Sequence, residues 1–157
     1  MSTITQEKLS ALNAAYARCI DNEQLEQWPE FFQEKCLYLI TTADNHAVGM
    51  QAGMVYADTR GMLRDRIVAM REANVYEEQR YRHIIGISFI VENGDRQASV
   101  ETPFIVMRIM RGGETIVFAT GRYLDRVVTA EDGALMLAER IVVCDSTNID
   151  TLLVLPL

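Results

Sequence analysis

Only two histidines, His46 and His83, stand among the 157 residues, and they bound the metal chemistry this chain can hold. A two-His-one-carboxylate iron site needs both imidazoles and an acid brought together. No helical or strand spacing joins His46 to His83, so no metal ligand set is expected. An iron–sulfur centre of the Cys/His type needs its ligands in two short motifs. Cys19, Cys36 and Cys144 have no CxxC or CxH spacing, and each sits among apolar neighbours. They read as buried free thiols of a reducing compartment. GxGxxG, P-loop and HExxH patterns are missing, as is GxSxG. On the residues alone, no catalytic residue is assigned.

His83 is the most tempting single side chain. It follows Arg80, Tyr81 and Arg82 and opens a strand. In one reading it is a general base inside a pocket, helped by Tyr16, Tyr38 or Asp145. In the other it is a structural or interface histidine. Arg80 and Arg82 lie close to Glu77 and Glu78, as a solvated ion-pairing patch or as a subunit contact, where arginine is enriched and lysine depleted. Arg140 and Asp145, on the last long strand, fit the same network. The interface candidates are therefore Arg80, Tyr81, Arg82, His83, Arg140 and Asp145. The fallback pocket set is Tyr16, Tyr38 and His83. His46 falls in a loop, at the surface or in a contact.

The elements that position these residues are legible as patterns. Thr3 with Gln6 fits a capping box that opens a helix to about Asn22. Leu9, Leu12, Tyr16, Cys19 and Ile20 form its apolar stripe. A shorter helix, EQLEQWPEFF, carries Leu25, Trp28, Phe31 and Phe32, with Pro29 as a kink or a restart. Cys36 to Thr41 is a strand by its β-branched and aromatic content. TADNHAVGMQAGMVYAD has no period and reads as a long irregular loop. Asp58 or Thr59 caps a third helix with stripe Met62/Leu63, Ile67 and Met70, stopped at Asn74. From Arg80 onward, four strands are separated by turns at Asn93-Gly94, Arg111–Glu114 and Glu131–Gly133. Gly86 and Gly121 mark bends inside strands. The strands look covered on both faces, by helices on one side and another subunit on the other. The apolar tail, Thr151 to Leu157, either packs under the helices or inserts into a neighbour.

Helices followed by a meander of strands give an α+β class, as one domain over residues 1–157. Net charge is −7, which argues against nucleic acid and anionic membrane as partners. No apolar run approaches the roughly 18 residues of a membrane helix. MSTITQEKL lacks a basic region followed by an apolar block, so cytoplasm is the expected compartment.

The order of these elements is similar to the cone-shaped fold of nuclear transport factor-like (cystatin-like) proteins, ketosteroid isomerase and scytalone dehydratase, with N-terminal helices on a strongly bent antiparallel sheet. Within that group the chain resembles the small (beta) subunits of aromatic-ring-hydroxylating dioxygenases. The resemblance is carried by EQWPEFF-QEKCLYLITT, DNHAVGMQAGMVYADTRGMLRDRI, MREANVYEEQRYRHIIG, ETPFIVMRIMRGGETIVFATGRYLDRV and ERIVVCDSTNIDTLLVLPL. It covers nearly the whole chain and leans towards the terephthalate type, with benzoate, anthranilate and salicylate types as near alternatives. It implies a non-catalytic structural subunit without cofactors of its own. The large (alpha) subunit would carry a Rieske [2Fe–2S] cluster and a mononuclear iron. Three of each would form a hexamer acting on an aromatic carboxylate, with electrons from NAD(P)H through a reductase. The enzymes of this fold place acids, His or Tyr inside the cone, whereas here an aromatic and aliphatic interior is expected, because the inward-facing candidates are mainly Trp28, Phe31, Phe32, Tyr38, Phe104 and Phe118. The alternative is a stand-alone isomerase or dehydratase of the same fold, using His83 with a tyrosine or Asp145.

Overall fold

The computed structural model describes residues 3–50, 53–73, 77–147 and 155–157. The first helix, α1 (Gln6–Asp21), starts two residues later than the capping-box pattern suggests. Thr5, not Thr3, is its N-cap, and the Thr5 hydroxyl accepts from the Lys8 N–H at 3.3 Å. The expected stripe is buried, with Tyr16 and Ile20 fully so. Leu25–Phe31 is a 3-10 helix containing Pro29. Proline removes a donor and crowds the preceding turn, so the segment stays short and tight. It buries Trp28 and feeds Phe32 into the core. Burial of each such side chain stabilises the fold by about 1.5–3 kcal/mol.

Strand β1 (Phe32–Thr42) begins earlier than the Cys36 start expected from residue types. The segment read as one irregular loop contains two short elements, α2 (Ala43–Ala47) and β2 (Val55–Thr59). Thr42 caps α2 by accepting from the Asn45 N–H at 3.2 Å. Both elements are too short to show a period. In α3 (Arg60–Ala73) Thr59 is the cap, accepting from Met62 N–H at 3.1 Å, and Leu63, Ile67 and Met70 are buried as expected. The stop at Asn74 lies outside the described residues. Arg64 and Arg71 tie α3 to the 3-10 helix through Glu30 and Glu26, both at 2.8 Å. Such exposed pairs contribute at most about 1 kcal/mol each.

The remaining strands are β3 (Gln79–Ile85), β4 (Phe89–Asn93), β5 (Gln97–Met110), β6 (Thr115–Thr129) and β7 (Leu135–Cys144). They form one sheet in the order β2-β1-β7-β6-β5-β3, with β4 also on β5. Two expectations need correction here. The sheet is mixed rather than wholly antiparallel, because β1 runs parallel to β7. The strand expected from Arg80 to Glu92 is divided into β3 and β4. Pro103 of β5 explains the division. Its carbonyl accepts from the Gly86 N–H at 2.8 Å. In an extended strand the N–H of the same residue points to that same neighbour, and proline has none to offer. A Cβ on Gly86 would also stand 2.8 Å from the Pro103 ring.

At Gly121 β6 and β7 leave no room for a side chain, for a Cβ there would lie 2.0 Å from the Val143 carbonyl oxygen. Register shifts at Val106/Met107 and Arg126/Val127 help bend the sheet. One face carries Tyr38, Ile40, Phe104, Tyr123 and Val142, all buried. On the other face Ile84, Ile105 and Val117 are exposed while Leu39 and Val143 are buried, so on β3, β5 and β6 the two-sided cover expected from the sequence is supplied by this chain on one side only.

The tail expectation is resolved in part. Leu155 and Leu157 are 4% and 0% exposed, buried in the chain's own core; residues 151–154 lie outside the described residues. Among those described, no helix is long and apolar enough to cross a membrane.

Candidate functional site

The interior of the bent sheet is not purely aromatic and aliphatic. Arg140 on β7 and Asp125 on β6 are cross-strand partners by register. Arg140 Nε donates to Asp125 Oδ1 at 2.9 Å and one terminal nitrogen donates to Oδ2 at 2.8 Å. That same nitrogen donates to Asn13 Oδ1 of α1 at 2.7 Å. The guanidinium carbon stands 4.3 Å from the Tyr16 ring centroid and 4.0 Å from that of Tyr123. Neither charged side chain reaches solvent, at 0% and 2% exposure. Burying a charge this deeply is tolerated only with a well-placed counterion and further hydrogen bonds. Burial by itself lowers the Arg140 pKa, but the Asp125 carboxylate outweighs it and the net shift is upward.

Asn13 carries the polar network outward. Its amide donates to Ser88 Oγ at 3.3 Å, and Ser88 Oγ pairs with Thr102 Oγ1 at 2.8 Å. Gln6 donates to the Ser88 carbonyl. The short link between β3 and β4 is thereby pinned to α1.

Tyr16 and Tyr38 converge elsewhere. Both hydroxyls donate to the main-chain oxygen of Leu157, at 2.7 and 2.9 Å. Burial pushes both phenols above their ordinary pKa, with Tyr38 moved the further.

His83 is held by Asp21, the last residue of α1. The Asp21 carboxylate accepts from the His83 backbone N–H at 2.8 Å and lies 2.7 Å from Nδ1. The imidazole is fully buried, and among the described residues its Nε2 meets no hydrogen-bond partner. A polar cleft of about 490 Å³ runs between α1 and β3 beside this pair, lined in part by Asn13, Arg18 and Arg82.

The residues singled out by type and spacing therefore separate. Arg80 and Arg82 are exposed on β3, while Tyr81 and His83 alternate inward and are buried. Arg140 is a core residue paired with Asp125, not with Asp145. Asp145 sits exposed beyond the end of β7 and accepts from Thr120 Oγ1 at 2.9 Å. The fallback set does not form one constellation, since Tyr16 and Tyr38 bind Leu157 and His83 binds Asp21. Asp21, Asn13, Asp125 and Tyr123 were not anticipated. Of the expected interior residues, Trp28, Phe32, Tyr38, Phe104 and Phe118 are buried, and Phe31 is partly so. His46 is on α2 beside a small apolar cleft with Met50 and Tyr56.

These groups do not fit a metal or cluster. Among the described residues, no three His, Cys, Asp or Glu side chains come together in a ligand geometry. One histidine is committed to Asp21. The thiols are separate and buried, and burial pushes Cys19 up to about 11 and Cys144 to about 12.

The family model described as "Ring hydroxylating beta subunit" matches residues 15–151. This chain belongs to the ring-hydroxylating dioxygenase beta-subunit family. The beta subunit is 55% identical, over 98% of its length and 99% of the relative's, to beta subunit 1 of the terminal oxygenase component of terephthalate 1,2-dioxygenase from a Comamonas species. It is 38% identical to the anthranilate 1,2-dioxygenase small subunit of Burkholderia cepacia, over 93% of this chain and 90% of that one. Among solved structures, it superposes with TM-score 0.89 and 37% identity on a chain described as a beta subunit of an aromatic-ring-hydroxylating dioxygenase from Novosphingobium aromaticivorans, over 97% and 96% of the two chains. The family places the protein in a multi-subunit oxygenase, as a non-catalytic component with an alpha-subunit partner. The stand-alone isomerase or dehydratase reading is not favoured.

Proposed function

We propose that this beta subunit, acting as one domain of residues 1–157 in the cytoplasm, holds together an oxygenase that hydroxylates an aromatic carboxylate of the terephthalate kind in aromatic catabolism. The alpha subunit would carry the Rieske [2Fe–2S] cluster and the mononuclear iron. Three copies of each would assemble, with a reductase delivering electrons from NAD(P)H. The substrate class rests on the 55% identity to terephthalate dioxygenase beta subunits.

The observation that carries the docking role is the contrast between the two faces of the sheet. The inner face is packed on the chain's own helices and its Asp125–Arg140 pair is internally neutralised. The outer face of β3, β5 and β6 is open. There Ile84 pairs in register with Ile105, and Arg82 lies beside Met107, which faces Val117. Ile84, Ile105 and Val117 are exposed, and Arg80 and Arg82 border them. Exposed apolar side chains edged by arginine are the composition of an interface rather than of a free surface. Of the interface candidates, Arg80, Arg82 and Asp145 can meet a partner directly. Tyr81, His83 and Arg140 would act from beneath, by fixing the strands.

Co-expression with the alpha subunit tests this. An Arg82→Glu, Ile84→Glu double variant should fold as the parent does yet fail to co-purify with the alpha subunit. Unchanged co-purification would place the interface elsewhere.

A further inference from the structure

The part of the interior between α1 and β1 is built as a receptor for peptide backbone. Two phenols, both fully buried, address a single residue. Tyr16 donates to the Leu157 main-chain oxygen at 2.7 Å. Tyr38 donates to the same oxygen at 2.9 Å and accepts from the Leu157 N–H at 3.1 Å. A phenol has one proton and two lone pairs, so Tyr38 can serve both backbone groups at once. The surroundings are aromatic. Phe32 lies against both phenols, with centroids 6.4 Å from Tyr16 and 5.7 Å from Tyr38, and Trp28 stands 5.1 Å from Tyr38. Leu155 and Leu157 bury their side chains in this same core.

We propose that this is a peptide-binding site that takes an apolar segment through the backbone of a leucine, and that the chain's own Leu155–Leu157 occupies it in cis. Three directional hydrogen bonds to one residue do more than fill space. They select backbone polarity, and an ordinary apolar core does not. The same contacts serve a segment supplied in trans when the covalent one is removed. The cone interior is thus a ligand site whose ligand is a piece of this chain.

Trp28 is the single tryptophan of the chain and reports on the site. A chain lacking Leu155, Pro156 and Leu157 should show red-shifted tryptophan emission. The peptide acetyl-Val-Leu-Pro-Leu should reverse that shift saturably, and acetyl-Val-Asp-Pro-Asp should not. Unchanged emission, or no binding of the leucine peptide by the folded truncated chain, overturns the proposal. If truncation prevents folding, the full chain with Tyr16→Phe and Tyr38→Phe decides. Phenylalanine keeps the ring packing, including the face toward Arg140, and removes only the hydroxyls. Amide exchange at Leu157 should then rise at least tenfold with the rest of the core unchanged. Exchange as slow as in the parent would show that the hydroxyls select nothing.

Discussion

Asp125 and Arg140 face one another across β6 and β7 through hydrogen bonds of 2.9 and 2.8 Å, and a helix residue, Asn13, accepts a further one from the guanidinium at 2.7 Å. Asp125→Asn leaves the Arg140 charge buried without its counterion. A broken buried pair costs about 3–5 kcal/mol. Urea denaturation should show a loss of that size, and replacing both residues by Leu and Met should cost less than Asp125→Asn alone. If the asparagine variant stays within about 1 kcal/mol of the parent, the pair is not what neutralises the core.

Gly121 is required by proximity. Its backbone approaches Val143 so closely that an added Cβ would sit 2.0 Å from the carbonyl oxygen. Gly121→Ala should force β6 and β7 apart and lower stability by several kcal/mol, on the order of the overpacking cost and beyond. Gly112→Ala, where nothing lies within 4 Å, should be nearly silent. Comparison of the two melting curves checks both at once.

His83 and Asp21 hold the end of α1 on β3. His83→Gln should lower stability by about 1–3 kcal/mol through loss of the imidazole's contact with Asp21 Oδ1, while the turnover of the assembled oxygenase, per mole of complex, stays that of the parent. A complex that forms normally but loses its turnover would assign His83 a chemical role after all.

The thiols supply a pH dependence with a definite sign. Only the thiolate reacts, and burial holds Cys19 at about 11 and Cys144 at about 12. A disulfide reagent at pH 8 should leave both unmodified in the folded chain. In the unfolded chain each thiol ionises near its ordinary value, below the folded one. The unfolded state therefore binds fewer protons above about pH 8.5–9, and stability falls as pH rises from there toward about 11–12. Cys144→Ala should reduce that alkaline loss relative to its own stability at pH 7. An equal decline in parent and variant would remove Cys144 as its source.

Several features could be read from residue types because they are local. Asn93-Gly94 and Glu131–Gly133 end strands by turn chemistry, and the stripes of α1 and α3 follow from spacing alone. The beta-subunit family was legible too, through a pattern spread along the chain rather than a catalytic motif. What escaped depends on pairing at a distance. Gly86 itself signals a bend, but the full break there is set by Pro103 on another strand, which no local pattern shows. Arg140 was grouped with Asp145, which is close in sequence. Strand register gives it Asp125 instead, past a shift at Arg126/Val127. Tyr16 and Tyr38 are separated from Leu157 by 141 and 119 residues, so their convergence has no local signal. Two neighbouring threonine caps, Thr3 and Thr5, differ by a choice that only the helix's packed face decides.

The central claim is that this chain assembles an oxygenase rather than catalysing. Its most direct test is to purify the chain alone and together with its alpha subunit, and to measure mass, iron content and turnover of an aromatic carboxylate on both samples. The chain alone should bind no stoichiometric iron and show no turnover, and the mixed complex should hold iron and turn over. Stoichiometric iron bound by the chain alone, or full turnover by an alpha subunit that never associates with it, would contradict that claim.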